Sequence, residues 1–285
     1  MQEFKYKIEF AKESDTNEIM NLIHKCFEKE NGFFQKLVPI LYGKDKNPSK
    51  NHLIIKDNDN IIATIAIREN IISIEEKEYK FLLLGSLGVD HNYRNQGIMG
   101  LFFEYILNNY SDSVDFFVLT GKFDRYKRFG FFPSAKIEKV IYPKSELELF
   151  NFDILKDSSK ELENLYNKKT YKVNRECFFD SLNTWTFVPY IIKREDKILG
   201  YLVYNFNVNL IEEIVLDDYS LINEICKEFG SIINKDVGLK LSISNKELHS
   251  FIDNSLLKEE HLESNLYKIV NQDLKEIYIP KSDLI

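Results

Sequence analysis

The sequence is poor in the residues that build disulfide frameworks and metal sites. It has only three cysteines, Cys26, Cys177 and Cys226, and none of them forms a CxxC pair. An odd number of separated cysteines argues against a disulfide framework and favours a reducing, cytoplasmic location, where cysteines serve as small buried apolar residues. The five histidines are scattered, and no spacing of His, Cys and carboxylate residues predicts a metal site.

Long apolar runs and surplus positive charge are also missing. No stretch of about 20 apolar residues occurs, and the opening MQEFKYKIEF is charged throughout, so we expect neither a membrane span nor a secretory signal. A formal net charge of -7 leaves no basic surplus for a nucleic-acid partner. With 44% hydrophobic and 29% charged residues, the 285-residue chain is typical of a soluble globular protein. Its length suits two domains of roughly 140 residues each.

One order of predicted strands and helices occurs twice along the chain. An apolar strand, a charged turn and a second apolar strand are predicted over 52–67 and again over 189–204, as in a β-hairpin. Each hairpin follows a short strand and an amphipathic helix, and precedes further alternating strands and helices. Pro143 and a change of pattern place the boundary between domains 1–143 and 144–285. The predicted fold class is α+β, with two domains that each contain a mixed, mostly antiparallel twisted sheet flanked by helices.

The stretch GVDHNYRNQGIMG at 88–100 connects a predicted strand to a predicted helix. Such a junction exposes unpaired backbone N–H groups and the positive end of the helix dipole, which favour a phosphate. Gly97 can adopt a positive φ, and Arg94 offers a guanidinium to phosphate oxygens. The alternative is that Gly97 merely ends a turn and Arg94 is a solvated charge. The second half passes almost directly from NLIEEIVLDD to YSLINEICKEF, so this turn is an addition to the repeated pattern.

The same stretch resembles the acetyl-CoA-binding segment of the GNAT superfamily of N-acyltransferases, V-x-P-x-x-R-G-x-G-x-G/A. The valine, the aromatic residue, the arginine and the central glycine have counterparts at the family spacing, namely Val89, Tyr93, Arg94 and Gly97. The usual proline, first glycine and last small residue are replaced by His91, Asn95 and Met99. Asparagine tolerates left-handed backbone angles, so its substitution is mild. The run RNQGIM is closer to the enhanced-intracellular-survival branch of the family, which accepts larger residues there.

A second segment, LTGKFDRYKRFGFF at 119–132, resembles the part of the family that follows its fifth strand. There a short helix carries a tyrosine and ends in GF, and the resemblance puts Tyr126 in the place of that tyrosine, which protonates the departing thiolate. From the residues alone, Tyr126 could equally be an aromatic packing residue, with Gly130 as a helix C-cap. Beyond residue 150 the likeness covers element order only, so the second domain is expected to be a degenerate GNAT-like copy without the pyrophosphate loop.

The resemblance implies an acetyl-CoA-dependent N-acetyltransferase in which a primary amine attacks the thioester directly and no metal takes part. The acceptor would be a small amine or an exposed amino group, and the protein a monomer or a homodimer. The strand's end would hold the pantetheine and the loop would hold the pyrophosphate, through Leu87, Gly88, Val89, Arg94, Asn95, Gln96, Gly97, Ile98 and Met99.

The general base stays unassigned, because KFLLLGSLGV contains no acid where many GNAT enzymes carry a glutamate. Glu28, Glu30 and Glu69 are expected to be solvated charges, and His91 is expected to point toward phosphate. A non-catalytic acyl-CoA-binding or sensing protein is the alternative function. A structural α+β protein without any cofactor is a third possibility.

Overall fold

The computed structural model describes residues 6–134, 136–184, 186–242, 246–262, 265–274 and 277–279. The chain divides into two compact units, one made of residues 1–132 with 265–274 and the other of residues 133–264 with 275–285. Both units are discontinuous in sequence, whereas the boundary predicted at residue 143 divides the chain once. No helix among the described residues is long and apolar enough to span a membrane.

The helices and strands alternate along the chain in the order that the repeated pattern predicts. The helices are α1 (Thr16–Phe27), α2 (Phe33–Leu37), α3 (Pro39–Tyr42), α4 (Ile98–Tyr110), α5 (Phe123–Tyr126), α6 (Lys160–Asn167), α7 (Phe178–Leu182), α8 (Ile222–Ile232) and α9 (Lys246–Ser250). The strands are β1 (Ile8–Phe10), β2 (His52–Asp57), β3 (Asn60–Ile74), β4 (Lys77–Val89), β5 (Phe116–Thr120), β6 (Lys136–Tyr142), β7 (Asn151–Ile154), β8 (Tyr171–Val173), β9 (Phe187–Arg194), β10 (Lys197–Asn205), β11 (Leu210–Leu216), β12 (Val237–Ser242), β13 (Leu257–Leu262) and β14 (Asn265–Ile269).

The strands of the first unit have the order β1-β2-β3-β4-β5-β14, in which β4 and β5 are parallel and the other neighbours along this path are antiparallel. Their pairing stops at Leu84 and Leu119, although β4 continues to Val89 beside β3. The register between β3 and β4 shifts between Gly85 and Gly88, which is a β-bulge. Beyond Leu84, none of the strands in the described part of the chain pairs with β4 on the β5 side.

Helices cover both faces of this sheet, as the alternation of side chains along β2 requires. Leu53 and Ile55 pack in one core cluster with the apolar face of α4, which includes Phe102 and Phe103. Ile54, which lies between them in the strand, packs in another cluster with α1. One face of the sheet thus carries α4, and the opposite face carries α1.

The sheet of the second unit has the order β13-β6-β12-β11-β10-β9-β7, and β11 and β12 are its parallel pair. The hairpins β2–β3 and β9–β10 lie where the sequence predicts them. The α8 helix buries Ile225, Cys226 and Phe229 against this sheet. The prediction of an α+β fold with two mixed, mostly antiparallel sheets flanked by helices is confirmed.

The second unit also contains two fully buried ion pairs on adjacent residues of β11. Arg175 contacts Glu213 with its Nη2 2.5 Å from Oε2, and the Tyr201 hydroxyl donates to Glu213 Oε1 at 2.6 Å. Lys240 lies 3.2 Å from Glu212. The register between β10 and β11 shifts here, so Glu212 is the extra residue of a β-bulge and the usual alternation of side chains is interrupted between the two pairs.

Candidate active site

A cleft of about 770 Å³ lies in the first unit, beside the end of β4 and the N-terminus of α4. Side chains and backbone from α1, β4, the β4–α4 loop, α4 and the α5 region surround it. The lining residues are Cys26, Phe27, Leu87, Val89, Tyr93, Arg94, Asn95, Gly97, Ile98, Met99, Arg125 and Arg128.

The loop between β4 and α4 is anchored at its start by Asp90. The Asp90 carboxylate accepts hydrogen bonds from Lys25 Nζ at 2.8 Å and from the Asn92 backbone N–H at 3.0 Å. The Lys25 hydrogen bond, followed by that of Asn92, lowers the pKa of Asp90 below its ordinary value. The Tyr93 hydroxyl donates to Asp57 Oδ2 at 2.8 Å, which ties the loop to the β2–β3 hairpin. The loop therefore has a defined shape before any ligand binds.

Two left-handed residues turn the chain into α4. Asn95 has φ 63° and Gly97, the N-cap of the helix, has φ 79°. The backbone bond from Leu101 N–H to Gly97 O, at 3.1 Å, is the first of the helical series. The N–H groups of residues 98–100 consequently have no acceptor within the helix. Together with the helix dipole, these N–H groups favour an anion at this end of the cleft.

Three guanidinium groups line the same cleft. Arg94 donates from Nε to Val89 O at 3.2 Å, and the Cys26 thiol donates to the same carbonyl at 3.3 Å. Burial raises the pKa of the Cys26 thiol, so this group remains a neutral donor. Arg125 and Arg128 approach from the α5 region, and Arg128 lies 4.6 Å from the centre of the Phe129 ring.

Arg125 and Arg128 were not among the residues predicted for the site. Their sequence signal is the basic cluster KFDRYKRFG, which contains alternating charges and aromatic residues beside the predicted tyrosine. That pattern does not by itself indicate which of its basic side chains faces the loop at 94–100. The packing of Tyr126 and Phe129 against Phe103 of α4 brings the two segments together.

Most of the predicted cofactor-binding residues meet in this cleft, but two do not line it. The residues that line it are Leu87, Val89, Arg94, Asn95, Gly97, Ile98 and Met99. Gly88 instead faces α1, since a Cβ added there would lie 3.3 Å from Cys26 Sγ. Gln96 accepts a hydrogen bond from the Tyr6 hydroxyl at 3.0 Å. Their proposed contacts with the cofactor stay predictions.

Tyr126 follows β5 but is not among the residues that line the cleft. Its ring lies 5.7 Å from that of Phe103 and covers Gly121, where an added Cβ would stand 2.4 Å from Tyr126 Cε2. Burial raises its pKa, so the hydroxyl keeps its proton at neutral pH. Gly130, with φ 83°, ends the following 3-10 turn as the predicted C-cap. The catalytic role of Tyr126 stays a prediction.

The acidic residues considered as general bases are exposed to solvent. Glu28 caps α1 with φ 54°, and Glu30 and Glu69 are also exposed. His91 is exposed and lies 3.3 Å from the Asp90 carboxylate. None of these four side chains lines the cleft.

Comparisons with known proteins agree with this fold. Residues 7–133 match the family model of the acetyltransferase (GNAT) domain. A protein of Melanoplus sanguinipes entomopoxvirus, named as a glycylpeptide N-tetradecanoyltransferase, is 24% identical over 232 residues, which are 81% of this chain and 69% of that protein. A GCN5-related N-acetyltransferase from Anabaena variabilis ATCC 29413 has a similar structure, with a TM-score of 0.68 at 14% identity over 94% of this chain and 73% of that one. Eis1 from Mycobacterium abscessus gives a TM-score of 0.60 at 12% identity over 93% and 74%.

The parallel strands β4 and β5 separate beside the start of α4, where Gly97 has a left-handed backbone conformation. The matched segment 7–133 contains this arrangement together with Arg94 and Gly97. Residues 7–133 are a GNAT acetyltransferase domain, and this domain makes the protein an N-acyltransferase. The likeness of its fold extends through both units, since the structure from Anabaena variabilis covers 94% of the chain.

Proposed function

We propose that the protein transfers an acyl group, with acetyl as the expected one, from acyl-CoA to a primary amine. One observation carries this proposal. Three arginines and the N-terminus of α4 line the same cleft, next to the part of β4 that does not pair with β5. Arg94, Arg125 and Arg128 supply positive charge for phosphate oxygens, and residues 98–100 supply N–H donors. A ligand without negative charge would gain little binding energy from these arginines and N–H donors.

The unpaired part of β4 supports a place for the pantetheine. Past Leu84 the described part of β5 does not pair with this strand, and Leu87 and Val89 line the cleft, although the Val89 carbonyl already accepts from Arg94 and Cys26. An extended amide-containing chain can hydrogen-bond to such an edge as an added strand does. We expect the pyrophosphate to lie at residues 94–99 and the thioester to lie near Leu87.

The proposed chemistry needs no covalent intermediate. The neutral amine attacks the thioester carbonyl carbon, the carbon–sulfur bond breaks, and the bonding pair leaves with the thiolate. Tyr126 is the proposed donor of the proton that the thiolate takes up, and the new amide nitrogen releases its proton to solvent. The Tyr126 ring packs against Phe103. The proposed role therefore requires that the Tyr126 hydroxyl reaches the sulfur atom of the bound acyl-CoA from that position.

The decisive experiment measures acyl transfer by mass spectrometry over a library of amines with acetyl-, octanoyl- and tetradecanoyl-CoA as donors. The donor series is needed because the relative from the entomopoxvirus is named for tetradecanoyl transfer, whereas Phe27, Ile98 and Met99 also give this cleft an apolar lining. We expect acetyl-CoA to be the preferred donor. Preference for tetradecanoyl-CoA would overturn the acetyl assignment and keep acyl transfer.

Arg94→Ala should weaken CoA binding, while Lys122→Ala is a matched control because Lys122 is exposed, carries the same charge and does not line the cleft. CoA should raise the melting temperature of the wild type and of the Lys122 variant. CoA binding without turnover on any amine would favour the sensing alternative. No shift with any acyl-CoA would contradict both functions.

A further inference from the structure

A strand near the end of the described chain supports the turn that brings two arginines to the cleft. We call residues 121–131 the α5 arch, and Arg125 and Arg128 line the cleft from it. Its helical parts are four and three residues long, Phe123–Tyr126 and Lys127–Phe129. Helices this short are not stable by themselves in water, so contacts outside the α5 arch must hold its shape.

The α5 arch begins at one edge of β14 and ends at the other. Before it, β5 pairs with β14, and in this pairing Val118 lies opposite Tyr267. After it, Phe132 forms an antiparallel bridge with the same Tyr267, with N···O distances of 2.9 and 2.8 Å. A strand residue has one neighbour on each edge, so Phe132 lies on the edge away from β5. The α5 arch therefore crosses over β14.

Two side-chain hydrogen bonds also join β14 to the two ends of the α5 arch. Thr120 Oγ1, directly before the arch, donates to Asn265 Oδ1 at 2.8 Å, and Asn265 is 1% exposed. Lys268 Nζ donates to Phe129 O at 3.1 Å, where the 3-10 turn ends. Gly130 leaves room for the ammonium group, since an added Cβ would lie 2.7 Å from Lys268 Nζ. A cation in this place satisfies a carbonyl at the end of a helical turn and interacts favourably with its dipole.

Phe129 connects the Lys268 hydrogen bond to Arg128. The Phe129 ring stacks on that of Phe103 in α4, with ring centres 4.4 Å apart and planes inclined by 10°. The Arg128 guanidinium lies 4.6 Å from the centre of the Phe129 ring, within the range of a cation–π contact. Because Arg128 is exposed, its guanidinium is held by this ring and by the backbone of the arch. Lys268 fixes that backbone at the Phe129 carbonyl.

We propose that β14 is a positioning element of the acyl-CoA site: Asn265 and Lys268 hold the two ends of the α5 arch, so that Arg125 and Arg128 face the cleft. This inference rests on the proposed function. It adds residues 265–269 to the structure that binds the cofactor, although they lie outside the segment 7–133 that matches the GNAT domain. Neither Asn265 nor Lys268 lines the cleft, so both act through the arch.

The first test measures the Kd for CoA by calorimetry in Lys268→Met, Lys268→Arg and Thr120→Val. We expect Kd to rise about 3- to 10-fold in Lys268→Met and in Thr120→Val, as the loss of one hydrogen bond causes. Lys268→Arg keeps a cationic donor and should remain within about twofold of wild type. Lys80→Met is the matched control, since Lys80 is an exposed lysine of the same sheet that does not line the cleft.

A double-variant cycle separates positioning from a direct contact with CoA. Lys268→Met and Arg128→Ala together should lose less binding free energy than the sum of the two single losses, because removing Arg128 removes part of what Lys268 positions. Lys268→Met and Arg94→Ala should be additive, since Arg94 lies in the β4–α4 loop and is held there by Val89 O. The melting temperature of every variant without CoA shows that folded proteins are compared.

The outcomes distinguish this inference from the proposed function. An unchanged Kd in either Lys268→Met or Thr120→Val, an equal loss in Lys80→Met, or additive losses with Arg128→Ala would overturn the inference while leaving CoA binding intact. If Lys268→Met does not fold, Thr120→Val decides alone, because it breaks the other bond between β14 and the α5 arch. A wild type that binds no acyl-CoA would overturn the proposed function and this inference together.

Discussion

Two glycines at the start of α4 should respond to alanine with opposite signs. Gly97 and Gly100 both have open space around them, since an added Cβ at either position would meet no atom within 4 Å. The difference lies in the backbone. Gly97 has φ 79°, whereas Gly100 lies within the helix. Steric contacts are therefore negligible at both positions. Any difference in stability between the two alanine variants reflects the backbone conformation of each residue.

The magnitudes follow from that preference. A Cβ in the left-handed region costs about 1–2 kcal/mol, so Gly97→Ala should lower the free energy of unfolding by that amount. Alanine replaces glycine within a helix with a gain of about 0.5–1 kcal/mol, so Gly100→Ala should raise it. The two variants should thus differ by about 1.5–3 kcal/mol in total.

The free energy of unfolding is measured by urea denaturation, and hydrogen exchange of the α4 amides provides the local readout. Local readout is needed because a protein of two units does not have to unfold in a single transition. CoA should also stabilise Gly97→Ala less than wild type, since a changed φ moves the donor groups of residues 98–100. Equal effects of the two substitutions would refute the left-handed requirement at Gly97.

Other substitutions test other parts of the molecule. Tyr93→Phe removes the 2.8 Å bond to Asp57 and should weaken CoA binding about 3- to 10-fold in calorimetry, because one hydrogen bond that orders the loop is lost. Burial lowers the pKa of His52 from 6.5 to about 3, so below pH 6.5 the unfolded chain binds a proton that the folded protein does not, and stability falls by about 1.4 kcal/mol per pH unit. Urea unfolding at pH 7 and 5.5 should show that His52→Gln removes this loss. Glu213→Gln leaves Arg175 as an uncompensated buried charge and should cost about 3–5 kcal/mol of unfolding free energy, and a loss below about 1 kcal/mol would contradict that reasoning.

Local features of the fold could be predicted from the sequence, because their causes are local. Alternating apolar residues around charged turns predict the hairpins at 52–67 and 189–204, and both form. The loop with Gly97 was predicted from the residues that a strand-to-helix anion site requires, and it lines the cleft. In each case the relevant interactions join residues that are near in the chain.

Pairing over long distances could not be predicted in the same way. The β6 strand joins the second sheet beside β12, and β14 returns to the first sheet beside β5. An alternating strand pattern gives the face that is buried but not the partner strand, so a continuous division of the chain was the natural expectation. Two other features could not be predicted for the same reason, because residues from separate elements form them. They are the approach of Arg125 to the loop and the hydrogen bonds that join Tyr42, His52 and Thr64.

The residues at the two parallel strand junctions lead us to expect one anion site per chain. In the first unit, β4 leads through Arg94 and Gly97 into α4. In the second, β11 leads into α8 through the exposed carboxylates of Asp217 and Asp218, and Asp218 itself accepts the Ser220 N–H at 2.9 Å. These carboxylates repel a phosphate at the entry to α8. The second unit therefore keeps the fold without the charge that a nucleotide phosphate requires, and we expect calorimetry to find one CoA bound per chain.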